Sequence, residues 1–236
     1  MPETSRQQFQ DELEQLEHQA LGGLDFVCQA LDRAIEVVQH QDVELASMVI
    51  ADDDRIDGRY LEVHQGILSL LALQAPVAGD LRLVAALLHV IKHVERMGDQ
   101  CVNMAKLVPL AGHNPPADEE TLAMIARMGE LARSLVQQCK LAFERRDAAL
   151  AQDLVRQDDE IDTLNRQCFH RALEIGDDPD VREWAMHMML VARCLERIGD
   201  NAVDIGEQTA FVVTGLFREF EDASHPELSP GSGGAR

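Results

Sequence analysis

Two stretches of this chain occur twice, in the same order, and no other feature restricts the possible folds as much. Residues 42–57, DVELASMVIADDDRID, align without a gap on residues 147–162, DAALAQDLVRQDDEID, at an offset of 105. Asp42, Leu45, Ala46, Asp53, Asp54, Ile56 and Asp57 recur as Asp147, Leu150, Ala151, Asp158, Asp159, Ile161 and Asp162. Further on, HVERMGDQCVN (93–103) matches CLERIGDNAVD (194–204) at an offset of 101. Four residues are therefore lost between the paired phrases, most simply at a turn. The chain is two copies of one supersecondary unit.

Inside each copy the apolar period is helical. Phe9, Leu13, Leu16, Ala20, Leu24, Val27, Leu31, Ile35 and Val38 step by threes and fours along a first long helix with a narrow seam. A polar break at 40–42 opens a second helix running to about residue 73. Pro76 and Gly79 mark a turn, and Asp80 is the expected cap of a third helix. The second copy follows the same plan, with helices expected over about 118–144, 147–175 and 181–221 and a cap at Asp178 or Asp180. Trp184 and Tyr60, each the only residue of its kind, read as packing or rim residues. The expectation is an all-α protein of two tandem three-helix units, six long helices in an elongated antiparallel bundle with a pseudo-two-fold repeat. Its parts are residues 5–110, a linker at 111–117, a second unit at 118–222 and a disordered, Ser/Pro/Gly-rich tail at 223–236. Each unit is small, so the two should pack end to end as one body.

Composition narrows the function. Forty-two acidic residues face 21 basic ones, a formal net charge of −21. Such a surface repels a phosphate backbone and speaks against nucleic-acid binding. It favours cations or basic partners. The longest apolar run, LVAALLHVI (83–91), is too short to cross a bilayer, and the N-terminus lacks the pattern of a signal peptide. Five scattered cysteines form no C-x-x-C and read as reduced thiols of a cytoplasmic protein.

The acids carry the candidate chemistry. Residues four apart on a helix lie within about 40° around the axis and about 6 Å along it. Glu95 and Asp99 therefore share one stripe, continued by Asn103; Glu196 and Asp200 share its copy, continued by Asp204. Asp53 and Asp57, and their copies Asp158 and Asp162, repeat the unfavourable like-charge spacing on the preceding helix. Gly98 and Gly199 add a cost of up to ~1 kcal/mol each in mid-helix and admit a neighbour closely. If adjacent helices are antiparallel, two carboxylate pairs converge in each unit. Clustered carboxylate oxygens suit hard or borderline cations such as Mg²⁺, Mn²⁺, Fe or Ca²⁺, and bridging carboxylates can hold more than one. The alternative is a metal-independent acidic helical module, its stripes solvated, salt-bridged by Arg55, Arg96 or Arg197, or docked on a basic partner. His89 and His93 read as buried or surface histidines in preference to ligands. No Glu has a His three residues later, which speaks against a ferritin-like centre, and the phosphate-loop, dinucleotide and nucleophile-elbow motifs are absent. An enzyme is not expected.

GDLRLVAALLHVIKHVERMGD (79–99) and LVARCLERIGDNAVDIGE (190–207), each preceded by a D-x-x-I-D-like phrase, resemble the PhoU family of phosphate-signalling regulators across residues 5–221. The resemblance implies a cytoplasmic negative regulator of the phosphate-starvation response. It would link the ATPase subunit of a phosphate ABC transporter to a phosphate-sensing histidine kinase, often as a homodimer and without inserting into the membrane. It also implies metal ions, Zn among the possibilities, singly or in clusters. Carried over by position, the ligands are Asp53, Asp57, Glu95 and Asp99 in the first unit and Asp158, Asp162, Glu196 and Asp200 in the second. Asn103, Asp204, Asp54 and Asp159 are possible additions, and the Glu62 position, occupied by Gln167 in the second unit, is in doubt.

Overall fold

The structure, a computed structural model, describes residues 3–111 and 118–220. The proposed tail, and most of the proposed linker, lie outside the described residues. Among these residues the chain is helical, with no strand. The helices are α1 (Glu3–His40), α2 (Val43–Asp52), α3 (Asp54–Leu73), α4 (Gly79–Leu107), α5 (Glu119–Arg145), α6 (Ala148–Glu174) and α7 (Pro179–Thr214), with a 3₁₀ turn at Val108–Ala111. Helices α1 to α4 form the first unit and α5 to α7 the second.

The junction after the first helix of each unit is built twice from the same parts. Gln41 and Arg146 both take a left-handed backbone, at φ 54°. That conformation ends the helix. Asp42 then caps α2 by accepting from Leu45 N, and Asp147 caps α6 by accepting from Ala149 N and Leu150 N. The second turn differs between units. Asp178 caps α7, with Pro179 in the first helical turn. At the matching place Ala78 sits at φ 49° without a side-chain cap, and α4 begins at Gly79. Asp80 therefore falls inside the first turn and accepts from Gln10 Nε2 at 3.3 Å, instead of capping the helix.

One expected helix is two. The segment 42–73 divides at Asp53 into α2 and α3, whereas its copy, α6, runs unbroken. Three consecutive aspartates, 52 to 54, crowd like charge onto poor helix formers, and Arg33 on α1 holds Asp52 in a close ion pair. The copy reads Gln157-Asp158-Asp159, and Gln157 donates instead to Gln138 Oε1 and Asp153 Oδ2.

The units lie side by side, not end to end. Helix α1 runs antiparallel along α5, tied by Glu17–Arg146, Asp25–Lys140 and Asp32–Arg133. Helix α4 runs antiparallel along α7, bringing His93 to Asn201 and Cys101 into the neighbourhood of Cys194. The α2–α3 pair packs outside on α1 and α4, and α6 packs on α5 and α7. The apolar surface explains this choice. On α4, Val84, Leu87, Val90, Ile91, Val94, Met97, Cys101 and Met104 are all fully or almost fully buried, a belt too wide for contacts at its ends to cover. Each such side chain contributes about 1.5–3 kcal/mol on burial. Met97 and Ile198, the one varying letter between ERMGD and ERIGD, are both at 0 % exposure in this shared core.

Candidate functional site

Helices α3 and α4 in the first unit, and α6 and α7 in the second, present the repeated acids to one another. The approach is close because a glycine faces the first aspartate of each pair. A Cβ built on Gly98 would stand 3.1 Å from Asp53 Oδ1, and one on Gly199 only 2.2 Å from Asp158 Oδ1. The mid-helix glycines are thus the sockets into which these carboxylates fit, which accounts for their helix-propensity cost.

The carboxylates feel one another. Burial first, and then the negative charge of Asp57 and Asp99, push the Asp53 carboxyl up to about 6, against the opposing pull of Lys106. Asp99 is raised by burial and by Glu95 and Asp57. In the second unit, burial and then Asp200 push Glu196 up to about 7, with Asp162 adding and Arg193 and Arg197 opposing. Like charges held together in a partly desolvated place do this. So the structure brings Asp53, Asp57, Glu95 and Asp99 into one electrostatic group, and Glu196, Asp200 and Asp162 into another beside Asp158. The second group is the deeper. Asp158, Asp162 and Glu196 are 4 %, 7 % and 7 % exposed, whereas Asp57 and Asp99 face solvent.

Each Glu has a cation that the repeated acids alone do not reveal. Lys92 donates to Glu95 Oε2 at 2.7 Å, and Arg193 makes a close ion pair with Glu196. These two cations occupy matching positions, three residues before the Glu in each copy, and that spacing was the available signal. The arginines inside the motifs do otherwise. Arg96 and Arg197 are exposed, and Arg55 stacks over the Phe26 ring at 4.6 Å. Arg193 satisfies only one Glu196 oxygen; Oε2 is buried without a hydrogen-bond partner.

The remaining candidates stand apart. Asp54, Asp159 and Asn103 are exposed, as is the doubtful Glu62. Asp204 turns toward the first unit, where its Oδ2 lies 3.4 Å from His93 Nδ1. His93 is buried, its Nδ1 2.8 Å from Asn201 Oδ1, and burial lowers its pKa against the opposing pull of Asn201 and Asp204. It is a contact between repeats, while His89 is exposed. The five cysteines are free thiols, four of them buried.

In chemical terms the two groups are sets of hard oxygen donors with a deficit of positive charge, which suits a divalent cation. The buried, unpartnered Oε2 of Glu196 is the clearest acceptor for one. Among the described residues, no three His, Cys, Asp or Glu side chains close on a single point as the ligands of one ion do. The carboxylates line two facing helices instead.

Comparison with known proteins covers both units. The model of the PhoU domain matches residues 24–108 and again residues 125–209. The phosphate-specific transport system accessory protein PhoU homolog of Aquifex aeolicus is 33 % identical over 187 residues, covering 79 % of this chain and 84 % of that protein. The homolog of Clostridium acetobutylicum is 28 % identical over 220 residues, covering 92 % and 100 %. The crystal structure of the phosphate transport system regulatory protein PhoU from Streptococcus pneumoniae superposes with a TM-score of 0.82 at 26 % identity, covering 90 % of this chain and all of that one. PhoU from Pseudomonas aeruginosa gives 0.81 at 26 % identity, over 88 % and 100 %.

Proposed function

The chain belongs to the PhoU family, and from that premise we propose that it is an accessory regulator of phosphate transport that acts by binding and not by catalysis. It restrains the phosphate-starvation response when phosphate is plentiful, linking a phosphate ABC transporter's ATPase to a sensor histidine kinase from the cytoplasmic side, as a homodimer. The observation that carries this reading is that each of the two family matches falls on one structural repeat and contains one acid group. No helix among the described residues is long and apolar enough to cross a membrane. In a cell lacking the chain, a phosphate-starvation reporter should be active in phosphate-rich medium, and restoring the gene should silence it. A reporter that stays repressed without the chain would refute the regulatory reading.

The acid groups are cation sites in this reading. Asp158, Asp162, Glu196 and Asp200 would hold an ion in the second repeat, and Asp53, Asp57, Glu95 and Asp99 in the first. A bound Mg²⁺, Mn²⁺, Fe or Zn ion supplies countercharge that Lys92 and Arg193 provide only in part. The raised carboxyls support this: burial first, and then neighbouring carboxylates, push both Asp53 and Glu196 up. The second reading, an acidic module that docks basic helices without metal, draws on the exposure of Asp57 and Asp99. It is distinguished by partner binding that survives chelation and falls steeply with salt.

A further inference from the structure

The outer face of the second repeat carries a groove beside the acid site. It lies between α6 and α7 and has a volume of about 870 Å³. Its apolar side chains are Phe169 from α6 and Met186 and Leu190 from α7, at 48 %, 64 % and 52 % exposure. Leu173, 71 % exposed, extends the face one turn further along α6. Large apolar side chains standing together in solvent mark a contact surface more often than isolated ones do. Methionine is well suited to such a surface because its flexible thioether adapts to what covers it.

Two further observations say what covers it. The first is charge. On a chain of net charge −21, this groove is lined by Arg166 and Arg193, the latter also paired with Glu196, with His170 and His187 beside them and a single carboxylate, Glu183. The Nδ1 atom of His187 is buried with no hydrogen-bond partner. Arg166 is 59 % exposed by its side chain and meets its nearest carboxylate, Asp162, only at 3.8 Å. The second is the other repeat. At the places matching Asn165, Phe169 and Arg193, the first unit has Tyr60, His64 and Lys92. There Tyr60 and His64 lie ring to ring at 5.7 Å, and Lys92 sits over the tyrosine at 5.3 Å. Met186 and Leu190 are replaced there by Ala85 and His89. The fold therefore does not require an open apolar groove at this place.

We propose that the α6–α7 groove docks an amphipathic helix of a partner protein, one with large apolar residues on its inner face and carboxylates along its flanks. An apolar stripe at i, i+3, i+4 and i+7 would lie against Phe169, Met186 and Leu190. Its flanking Glu or Asp residues would meet Arg166, Arg193 and His187. On a chain with this excess of acidic residues, a partner with acidic flanks is favoured where cations gather, as they do here. The inference deepens the reading of the chain as a regulator that works through other proteins and rests on it in that sense. The groove touches the acid group at two points, since Arg193 also pairs with Glu196 and Arg166 approaches Asp162, so the binding test is run on chelated protein.

The test uses the full chain and a fluorescent 18-residue helical peptide with Leu at the stripe positions and Glu on both flanks. We expect saturable binding that weakens at least tenfold in Leu190→Glu and in Arg166→Glu. A Met48→Glu change on the exposed face of α2, far from the groove, should leave it intact. All three sites are exposed, so unchanged melting curves will show that the variants are folded. A peptide with Lys in place of Glu should bind at least tenfold more weakly. Equal binding of a scrambled peptide, or affinity indifferent to Leu190→Glu, would overturn the proposal. So would three other occupants: anionic phosphatidylglycerol vesicles binding through Leu190 in place of the peptide, a dimer that dissociates on Leu190→Glu, or peptide affinity that rises when residues 221–236 are removed. Loss of peptide binding with intact phosphate control in cells would remove the groove and leave the regulatory reading standing.

Discussion

The two repeats share a plan but not a depth. In the first, the acid stripe opens to solvent and the helix before it breaks at Asp53. In the second, α6 is continuous, and Asp158 and Asp162 on α6 and Glu196 on α7 are all buried. Duplication preserved the sequence pattern; local context then set how much charge each copy had to desolvate. Burial of a charge is costly unless it is compensated, and the second copy buries more of its acids than the first. In both copies burial is the first cause of a raised carboxyl, Glu196 to about 7 and Asp53 to about 6.

The largest expected effect comes from filling the sockets. Gly199→Ala places a methyl 2.2 Å from Asp158 Oδ1 and 3.3 Å from Ile161, against a carboxylate with little room to move. We expect a loss of about 2 kcal/mol in urea denaturation, even after the ~1 kcal/mol gained in helix propensity. Gly98→Ala meets Ile56 at 2.9 Å and Asp53 at 3.1 Å at the more open site. Its loss should be about half as large. Equal losses would mean that the two sockets are equally tight.

Next is the pH dependence of Glu196. Its carboxyl holds a proton up to about 7 in the folded chain but only to the usual 4.5 in the unfolded one. Folding therefore takes up a proton between these values, and stability falls as pH rises through that window. Without added metal, Glu196→Gln should stabilise the protein by about 1–2 kcal/mol at pH 8 and flatten the slope between pH 4.5 and 7. Asp53→Asn should act in the same direction, by less, and between 3.8 and about 6. A Glu196→Gln variant no more stable than wild type at pH 8 would contradict the comparison.

At the contact between repeats the sign reverses. Burial lowers the pKa of His93, so the folded chain holds it neutral and the unfolded chain charges it as pH falls below its ordinary 6.5. His93→Leu should weaken that loss of stability at acid pH. It should also cost about 1 kcal/mol at pH 8, because Asn201 Oδ1 loses its partner. The smallest effect belongs to the helix break. Asp52→Gln copies the second repeat into the first and should change stability by no more than about 0.5 kcal/mol, since an exposed ion pair with Arg33 is all it removes. Amide exchange at residues 52–56 should nevertheless slow if the break heals.

Much of this was legible in the sequence. Apolar positions at threes and fours gave the helices, and the doubled phrases gave the two units, because both signals are local. The acid groups followed from the same doubling. What was hidden depends on partners distant in sequence. The break at Asp53 needs Arg33 on α1. The side-by-side docking of the units needs the whole girth of α4 and α7. The turn of Asp204 toward His93 needs α4 to lie along α7. Lys92 and Arg193 could have been read from their spacing, since each stands three residues before its glutamate in both copies.

The claim that the acid groups are paired cation sites is most directly tested by melting the chelated protein at pH 8 with and without millimolar Mn²⁺. Binding at a hundred times its dissociation constant stabilises by about 2.7 kcal/mol, which for a chain of this size raises Tm by roughly 5–10 °C. Asp200→Asn should remove the larger part of that rise, Asp99→Asn the smaller, and the double variant all of it. A double variant whose Tm rises as much as the wild type's, or a wild type that gains no more from Mn²⁺ than from NaCl at equal ionic strength, would contradict the claim.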